Sequence, residues 1–510
     1  MSDNYNKNRI LKNSLLLYVR MLFTMWLNLW TTRLVLANLG IEDMGVYGVV
    51  GSIVGLVTVF TGGVTNAIQR FITFEAGKSE GKLNLVFCTS LNVTFLLAVL
   101  VLVVLEGGGI YMLYHSVKIP ATSMDAALWV LQLSILTCIV DLISVPYNAL
   151  IIAHEKMDAF AVISFLQVVL NFAAACGLSL FEDRLLVYAV MTAAVSIFVR
   201  LVYQAYCHSC FAEARYHFLI DRQMLQQMGK FAGVSTASGI LEVIAAQGIV
   251  LIINWTFGVA LNAVYNIALQ LKNSILSFAL NLFKAISPQI TKTYANGEIE
   301  THKKLVYSGS KLEAYLIFFI MIPFLFRAEY IMHLWLGVIP KYATEFAMCT
   351  VFISFTYAIF EPIHTSVLAT NRITRFKIIP NIFYLLVLPL GYLIGRYTQL
   401  PVLLIAFIVA MDMLTCTFRT YYAVKVSPLR LHEILVKITI PVLLVAGADC
   451  IVCYILSLFT AQTIFGMIVL LAANSLALCT IIMFLGLNYN ERSLCFATMH
   501  KLLDPYLRKS

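Results

Sequence analysis

Long apolar runs recur from one end of this 510-residue chain to the other, and they constrain its fold more than any other feature. A run of 18 or more apolar residues is long enough to cross about 30 Å of hydrocarbon as a helix. Only 12% of the residues are charged, whereas soluble domains carry about 25%, and the mean hydropathy is +0.87. Backbone groups in lipid must be hydrogen-bonded internally, so only helices or a closed barrel can span the membrane. The run "VTFLLAVLVLVVL" at 93–105 lacks the alternation of a barrel strand. The sequence therefore predicts an all-α integral membrane protein.

The hydropathy pattern predicts about fourteen transmembrane helices. The first apolar run is long and has no small-residue cleavage site, so we interpret it as a permanent helix rather than a signal peptide. The ninth run reaches full length only if the polar residues 308–314 are included. The predicted spans are 12–36, 45–69, 85–106, 125–150, 159–180, 185–206, 231–254, 260–283, 312–326, 342–369, 378–395, 401–424, 438–459 and 462–486.

The loops between these spans carry a strong asymmetry of positive charge. If the N-terminus is cytoplasmic, 25 of the 35 Lys and Arg residues fall on the inner side and five on the outer side. The five outer residues are Lys118, Arg184, Arg327, Lys341 and Arg396. This is the positive-inside pattern, so both termini are predicted to be cytoplasmic. Anionic lipids and membrane insertion explain the net charge of +9, and nucleic acid is not an expected partner.

The chain contains an internal repeat with an offset of 218 residues. The segment "LGIEDMGVYGVV" at 39–50 aligns without a gap with "FGVALNAVYNIA" at 257–268, matching Gly, Val and Tyr at equivalent positions. Both copies lie at outer turns and run in the same direction through the membrane. The repeat predicts two six-helix halves related by an axis along the membrane normal, with a substrate site between them. The predicted domains are 1–206, a cytoplasmic linker at 207–230, 231–424, and two extra helices with a tail at 425–510.

The first hundred residues resemble a known family. The stretch "NSLLLYVRMLFTMWLNLWTTRLVLANLGIEDMGVYGVVGSI" followed by "NAIQRFITFEAGK" is similar to the polysaccharide exporters of the multidrug/oligosaccharidyl-lipid/polysaccharide (MOP) superfamily, above all the O-antigen (Wzx-type) flippases. Lipid II flippases and MATE drug exporters are more distant relatives. Over the rest of the chain the resemblance is architectural and implies a MATE-like bundle.

The resemblance implies a transporter rather than an enzyme. It would flip an undecaprenyl-diphosphate-linked oligosaccharide to the outer leaflet of the bacterial inner membrane by alternating access. The implied partners are that lipid-linked substrate, membrane lipids, a coupling H⁺ or Na⁺, and polysaccharide polymerase and chain-length machinery. Two alternatives stay open, a cation-coupled multidrug exporter of the same fold and a membrane glycosyltransferase or polymerase. No phosphate-binding Gly-x-x-x-x-Gly-Lys-Ser/Thr motif is present, and we expect no cofactor or metal.

Two basic residues within the spans are the main candidates for substrate binding. A charge near the bilayer centre is costly, so such residues usually face protein or water and serve a function. Lys272 lies twelve residues into the eighth span, on a stripe with several Asn, Gln and Ser residues. Arg20 lies in the inner third of the first span. The resemblance implies that basic residues on these two spans contact the diphosphate. The alternatives are an ion pair of Lys272 with Glu242, and an Arg20 side chain that reaches the headgroups.

The other charged residues of the spans each have two interpretations. Arg33, near the outer end of its span, and Arg70, at the inner boundary, either bind substrate or interact with lipid headgroups. The acids either carry a coupling ion or pair with a basic residue, and Asp412 and Arg419 lie on one face of the same span. Glu361 precedes a proline that could interrupt its helix. The set comprises the acids Asp141, Glu242, Glu361, Asp412 and Asp449 and the base Arg200.

Overall fold

A computed structural model describes residues 2–76, 82–219, 221–284, 286–370, 373–489 and 491–493, with the side chains of α1 described from Met21 onward. Every regular element in these residues is helical. The helices are α1 Ser2–Gly55, α2 Thr58–Ala76, α3 Leu83–Val104, α4 Ile110–His115, α5 Met124–Ala153, α6 Met157–Gly177, α7 Arg184–Cys210, α8 Arg222–Phe257, α9 Val259–Phe283, α10 Ser287–Ala295, α11 Ile299–Leu336, α12 Ala343–Ala369, α13 Ile373–Tyr384, α14 Val387–Thr398, α15 Pro401–Val426, α16 Leu431–Ile434, α17 Ile440–Phe459 and α18 Ile464–Ile481. Single π-helical turns follow α3 at Leu105–Gly109, precede α17 at Leu435–Thr439 and follow α18 at Ile482–Gly486.

Twelve helices in the described residues are long and apolar enough to cross a membrane. The prediction of an all-α membrane protein is therefore confirmed. The two predicted spans not among the twelve are also helical, formed by the end of α1 with α2, and by α9. The polar side chains along α9, which include Asn262, Asn266 and Gln270, explain its lower hydropathy.

The first glycine of each repeat copy ends one helix and begins the next. Gly40 has φ 79° and ψ 175°, and Gly258 has φ 87° and ψ −173°. Both conformations lie in the region that glycine alone adopts without strain. Gly40 breaks α1 within its length, and Gly258 separates α8 from α9. The matched conformation at positions 218 residues apart supports the repeat that the sequence predicts.

The two repeat copies pack directly against each other. A Cβ atom on Gly48 would lie 2.0 Å from Nδ2 of Asn266, its own equivalent in the second copy. A Cβ atom on Gly45 would lie 2.0 Å from the carbonyl oxygen of Val259. In a two-fold arrangement, residues beside the axis contact their own equivalents, so this contact is the one expected from the predicted two-fold relation of the copies. Small residues at such crossings let membrane helices approach closely and gain packing energy.

The chain divides into two compact units, and each unit combines three separate segments of the sequence. Unit 1 contains residues 1–267, 335–342 and 384–404, and unit 2 contains 268–334, 343–383 and 405–510. Within unit 1, Val46, Val49 and Ile53 of α1 pack with Leu131 and Ile135 of α5 in one fully buried cluster. The domain limits that the sequence predicts at 206, 230 and 424 stay predictions.

In unit 2, polar residues of α11 hold the end of the chain that the structure describes. Lys311, only 2% exposed, pairs with Glu491, and the Ser308 hydroxyl donates to the other oxygen of that carboxylate at 2.6 Å. The Tyr315 hydroxyl donates to the carbonyl of Gly486 at 3.1 Å. Spacings of three and four residues place these three side chains on one face of α11. The polar start of the predicted ninth span thus belongs to the part of α11 before its kink at Arg327, and it binds the turn after α18.

We predict that Gly45→Ala destabilises the protein by about 1–3 kcal/mol, because the new methyl group overlaps a backbone carbonyl that cannot rotate away. Thermal unfolding of the purified protein in detergent measures the effect. Gly51→Ala, on the same helix with no atom within 4 Å of the new Cβ, is the matched control. Alanine favours a helix more than glycine does, so the control should be neutral or stabilising. Equal melting temperatures for both variants would contradict the close contact.

The link between Glu491 and α11 predicts a pH-dependent contribution to stability. Burial alone would raise the pKa of Glu491, but hydrogen bonds from Lys311, Ser308 and the Asn488 N–H together hold it below the ordinary value of 4.5. A lowered carboxyl pKa stabilises the folded state above the unfolded pKa, and this contribution is lost as the pH falls through the folded pKa. Wild type should therefore melt higher than Glu491→Gln at neutral pH, and the difference should disappear in acid. A constant difference across that range would contradict this role.

Candidate functional site

Lys272 lies on the face of α9 that packs against α12. Two hydroxyls of α12, one helical turn apart, donate to carbonyls of α9 that are also one turn apart. Thr350 donates to the carbonyl of Ala268 at 3.0 Å, and Ser354 donates to that of Lys272 at 3.2 Å. These bonds fix the axial register of the two helices, so the backbone of Lys272 is held at one position. Its side chain is half-buried.

Asp412 of α15 is the acidic charge that acts on Lys272 within unit 2. Its Oδ2 accepts a hydrogen bond from the Thr356 hydroxyl at 2.8 Å. Asp412 also interacts electrostatically with Arg419, two turns along the same helix. Arg419 Nη2 donates to the side-chain oxygen of Asn381 on α13, which is 2% exposed. Lys272, Asp412 and Arg419 thus form a row of alternating charges on α9 and α15 that act on each other electrostatically. Thr356 of α12 orients the Asp412 carboxylate, and Asn381 of α13 orients the Arg419 guanidinium.

A group of stacked rings lies between Arg419 and the acid Glu361. The Arg419 guanidinium carbon lies 5.9 Å from the centroid of the Phe360 ring. Phe360 stacks on His364 with a centroid distance of 6.2 Å, and Phe376 stacks on both rings. His364 Nδ1 lies 3.5 Å from a carboxylate oxygen of Glu361. Glu361 therefore has a titratable partner, and α12 continues as a helix through Pro362.

Glu313 is a deeply buried acid of the predicted ninth span. Among the described residues its carboxylate has no hydrogen-bond partner. It lies on α11, is 1% exposed, and neither of its side-chain oxygens is hydrogen-bonded. The charge of Glu361 acts on it. Burying an unpaired carboxylate is costly, so this pair of acids can exchange a proton or attract a cation.

The predicted basic residues of unit 1 have different surroundings. Arg20 lies on α1, and its side chain is outside the described residues. The Arg33 guanidinium carbon lies 5.0 Å from the centroid of the Trp30 ring, and the side chain is half-buried. Arg70 is exposed, with its guanidinium carbon 4.5 Å from the Phe231 ring centroid. Both arginines thus lie over aromatic rings, a favourable cation–π geometry.

Two acids of unit 1 have different settings. Asp141 lines a cavity of about 400 Å³ together with Tyr47, Thr192 and several further hydroxyl side chains, and it interacts with the Ser196 hydroxyl. Glu242 lies on α8 with an exposed side chain. The predicted pair of Lys272 with Glu242 stays a prediction, because these residues belong to different units.

The remaining charged residues of the spans have structural partners. The Arg200 guanidinium carbon lies 4.1 Å from the centroid of the Tyr147 ring. Asp449 of α17 is fully buried and accepts a hydrogen bond from Asn474 of α18 at 3.3 Å. These contacts join neighbouring helices within one unit.

The structure brings together three of the predicted site residues, Lys272, Asp412 and Arg419. Sequence reasoning missed Glu313, His364 and Asn381, which complete their surroundings. Glu313 lies in the polar part of the predicted ninth span, and a charge within that span was the signal available. Asn381 and His364 are common residue types, and only the packing of α12, α13 and α15 gives them a role.

We predict that Lys272 and Asp412 are energetically coupled. Removing either charge alone leaves the other one half-buried without its partner. The destabilisation of the double variant should therefore be smaller than the sum of the destabilisations of Lys272→Ala and Asp412→Ala. The expected coupling is about 0.5–3 kcal/mol, measured from thermal unfolding as a double-mutant cycle. The control cycle combines Lys272→Ala with Glu329→Ala, an exposed acid on α11. Additive effects in the first cycle would contradict the coupling.

Comparison with known proteins identifies the fold. The structure is similar to that of the lipid II flippase MurJ in an inward closed conformation, with a TM-score of 0.72, 12% sequence identity, and coverage of 92% of this chain and 98% of that one. It also resembles an inward-facing multidrug resistance MATE family transporter of the MOP superfamily, with a TM-score of 0.60, 16% identity, and coverage of 79% and 94%. An outward-facing transporter of that description gives a TM-score of 0.55 at 14% identity, covering 80% and 94%.

No curated protein sequence matches this chain. The family model described as "Polysaccharide biosynthesis protein" matches residues 10–294, which is more than half of the sequence. The structural neighbours are transporters and flippases, as the resemblance in the first hundred residues predicts. The chain is a multi-pass membrane protein whose fold is similar to that of MurJ and the MATE transporters, and it belongs to the polysaccharide biosynthesis protein family.

Proposed function

We propose that this protein moves a lipid-diphosphate-linked oligosaccharide from the cytoplasmic to the outer leaflet of the bacterial inner membrane, without enzymatic chemistry. The observation that carries the proposal is the position of Lys272, a half-buried cation on α9, a helix that the sequence predicts to span the membrane, in a family of polysaccharide biosynthesis. The cargo is an O-antigen, capsular or exopolysaccharide repeat unit on undecaprenyl diphosphate, passed on to polymerase and chain-length machinery.

Lys272 provides the contact to the diphosphate in this mechanism. Two phosphate groups cannot enter a low-dielectric region unless fixed positive charge compensates them, and ammonium and guanidinium groups are the usual phosphate partners. Asp412 balances the charge of Lys272 when substrate is absent, and Thr356 orients that carboxylate. When a diphosphate enters, it replaces Asp412 as the counter-charge. Arg20 contributes a second cation from the first span, and Arg33 and Arg70 guide the substrate near the two membrane surfaces.

An ion gradient, or removal of the product on the outer side, supplies direction. The acids Glu313 and Glu361, with His364 beside them, form the group best suited to carry a coupling H⁺ or Na⁺. Asp141 and Glu242 are further candidates in unit 1. In this scheme Lys272 binds the cargo, while the acids of α11 and α12 respond to the gradient.

A cation-coupled multidrug exporter is the second candidate. The fold shared with MATE transporters and the hydroxyl-lined cavity around Asp141 favour it. The two functions differ in which residues are essential. A drug exporter depends on the acids, whereas a flippase for a diphosphate-linked substrate depends on the basic residues.

We expect Lys272→Ala and Arg20→Ala each to abolish surface polysaccharide while membrane levels of the protein stay normal. Each removes a cation that compensates the diphosphate during crossing. Surface polysaccharide in a strain that lacks the wild-type gene, with immunoblots of the membrane fraction, measures the effect. Lys284→Gln is the matched control, because this exposed lysine follows the same helix and, among the described residues, its ammonium group donates only to the side-chain oxygen of Asn281.

Lys272→Arg keeps the charge and should restore part of the polysaccharide. Normal polysaccharide in both alanine variants would refute the cation role of these residues. Loss of drug resistance with unchanged polysaccharide would favour the exporter, and turnover of lipid-linked sugars by the purified protein would point to an enzyme.

A further inference from the structure

We propose that a cavity on the predicted outer side of unit 1, formed around Lys118, Arg396, Trp255 and Tyr392, binds a phosphorylated saccharide. The assignment of that saccharide to the headgroup of the transported lipid rests on the proposed function. The cavity shares no residue with the charged row of unit 2.

Three segments that are distant in sequence form this cavity, which has a volume of about 720 Å³. They are the end of α4 with the following loop, the end of α8, and the last turns of α14 with Gln399. Pockets that hold small ligands have volumes of about 300–1,000 Å³, so the cavity has room for a sugar together with its phosphate. All three segments belong to unit 1.

The loop that carries Lys118 is fixed before any ligand binds. Asn254 is fully buried, and its side chain makes two hydrogen bonds to the backbone of Lys118. Asn254 accepts from the Lys118 N–H at 2.7 Å and donates to the Lys118 carbonyl at 3.1 Å. The Trp255 indole N–H donates to the carbonyl of Ser116. Since the loop is ordered by protein contacts, binding does not have to bear the entropic cost of ordering it.

The opposite wall is equally well defined. A Cβ atom on Gly395 would lie 2.8 Å from Cγ2 of Thr256, so glycine at this position lets α14 pack closely against α8. This approach places Tyr392 edge-on to Trp255, with ring centroids 6.2 Å apart. The Arg396 guanidinium donates to the Tyr392 hydroxyl at 2.8 Å, which orients the cation beside the two rings.

The lining combines the groups that a phosphorylated sugar requires. Lys118 and Arg396 are cations suited to a phosphate group. Trp255 and Tyr392 offer ring faces to the apolar surface of a sugar, and His115 and Gln399 offer polar atoms to its hydroxyls. None of the described residues that line the cavity is an Asp or Glu. A cation would therefore find no carboxylate there, and the charge selects an anion.

The two cations of this cavity come from a region of the chain's predicted topology that is poor in positive charge. Basic residues are disfavoured in outer loops because they oppose correct insertion. Only five of the 35 Lys and Arg residues lie on the predicted outer side. Two of these five, Lys118 and Arg396, are 278 positions apart in the sequence and yet line one cavity. A ligand with negative charge gives a physical reason for placing them together.

The place of this cavity defines its role. A diphosphate that has crossed the membrane leaves the cations of the spans and must be stabilised at the outer surface. Lys118 and Arg396 provide that second set of cations, and the aromatic rings hold the first sugars. The headgroup of an anionic phospholipid shares the phosphate but lacks the sugar ring, and the following test separates the two.

Binding of soluble probes to the full-length protein in nanodiscs of zwitterionic lipid tests the proposal. The probes are glucose 1-phosphate, glucose, inorganic phosphate and glycerol 1-phosphate, measured by titration calorimetry. We expect glucose 1-phosphate to bind about tenfold tighter than each of the others, because only it engages the cations and the rings together. Lys118→Gln and Arg396→Gln should each weaken its binding about tenfold through loss of a charge-assisted contact.

The matched controls are Lys341→Gln and Arg184→Gln. Both residues are exposed, belong to unit 1 and lie on the predicted outer side, but neither lines the cavity. Their affinity for glucose 1-phosphate should equal that of wild type. Equal affinity for glycerol 1-phosphate and glucose 1-phosphate would overturn the proposal in favour of a lipid-headgroup site. Absence of binding in wild type, or unchanged binding in both cavity variants, would also overturn it.

The outcome for the cavity and the outcome for the proposed function can be told apart. If glucose 1-phosphate binds as expected while Lys272→Ala leaves surface polysaccharide normal, the cavity stands and the flippase assignment fails. If Lys272→Ala abolishes polysaccharide while the cavity binds no probe, the flippase assignment stands and the cavity proposal fails.

Discussion

Hydrocarbon leaves a polar side chain two options, a partner within the protein or contact with water, and the architecture described here depends on that constraint. Several polar groups in the spans of unit 2 are paired across helices, such as Ser354 with the carbonyl of Lys272 and Thr356 with Asp412. Lys311 is almost fully buried and pairs with Glu491. Glu313 departs from this rule within the described residues, because its carboxylate has no hydrogen-bond partner. An unpaired carboxylate at this depth is costly, which is why the proposed function assigns Glu313 to the coupling ion.

The internal repeat gives the chain the same helix-to-helix turn at two places. Gly40 and Gly258 adopt the same backbone conformation, and Gly48 meets its own equivalent, Asn266. Apart from the shared Gly, Val and Tyr, the side chains of the two copies differ. The second copy carries Asn266, Gln270 and Lys272 along α9. The two copies therefore share a backbone conformation at their first glycine, while the second copy carries a series of polar side chains along α9.

Much of the fold could be predicted from the sequence, because hydropathy and loop charge act locally and require no knowledge of packing. The helices, the repeat and the family resemblance follow from such patterns. The candidate site could be predicted only in part. Lys272, Asp412 and Arg419 are visible as charges in apolar runs, and the spacing of Asp412 and Arg419 on one helix indicates a common face. The contribution of Asn381 and the stack of Phe360, His364 and Phe376 depend on how α12, α13 and α15 pack, which spacing along the chain does not specify.

The sequence by itself determined that the chain is built of membrane-spanning helices, that one of its segments is repeated, and which charges lie within apolar runs. The reason is that transfer into hydrocarbon is a property of each segment and is nearly independent of its neighbours. Only the tertiary structure decided which partners those charges find. Lys118 and Arg396 are far apart in sequence and line one cavity. Asn254 holds the loop of Lys118 by hydrogen bonds, and Gly395 lets α14 approach α8 closely. Contacts of that kind depend on the positions of several helices at once, and no local pattern encodes them.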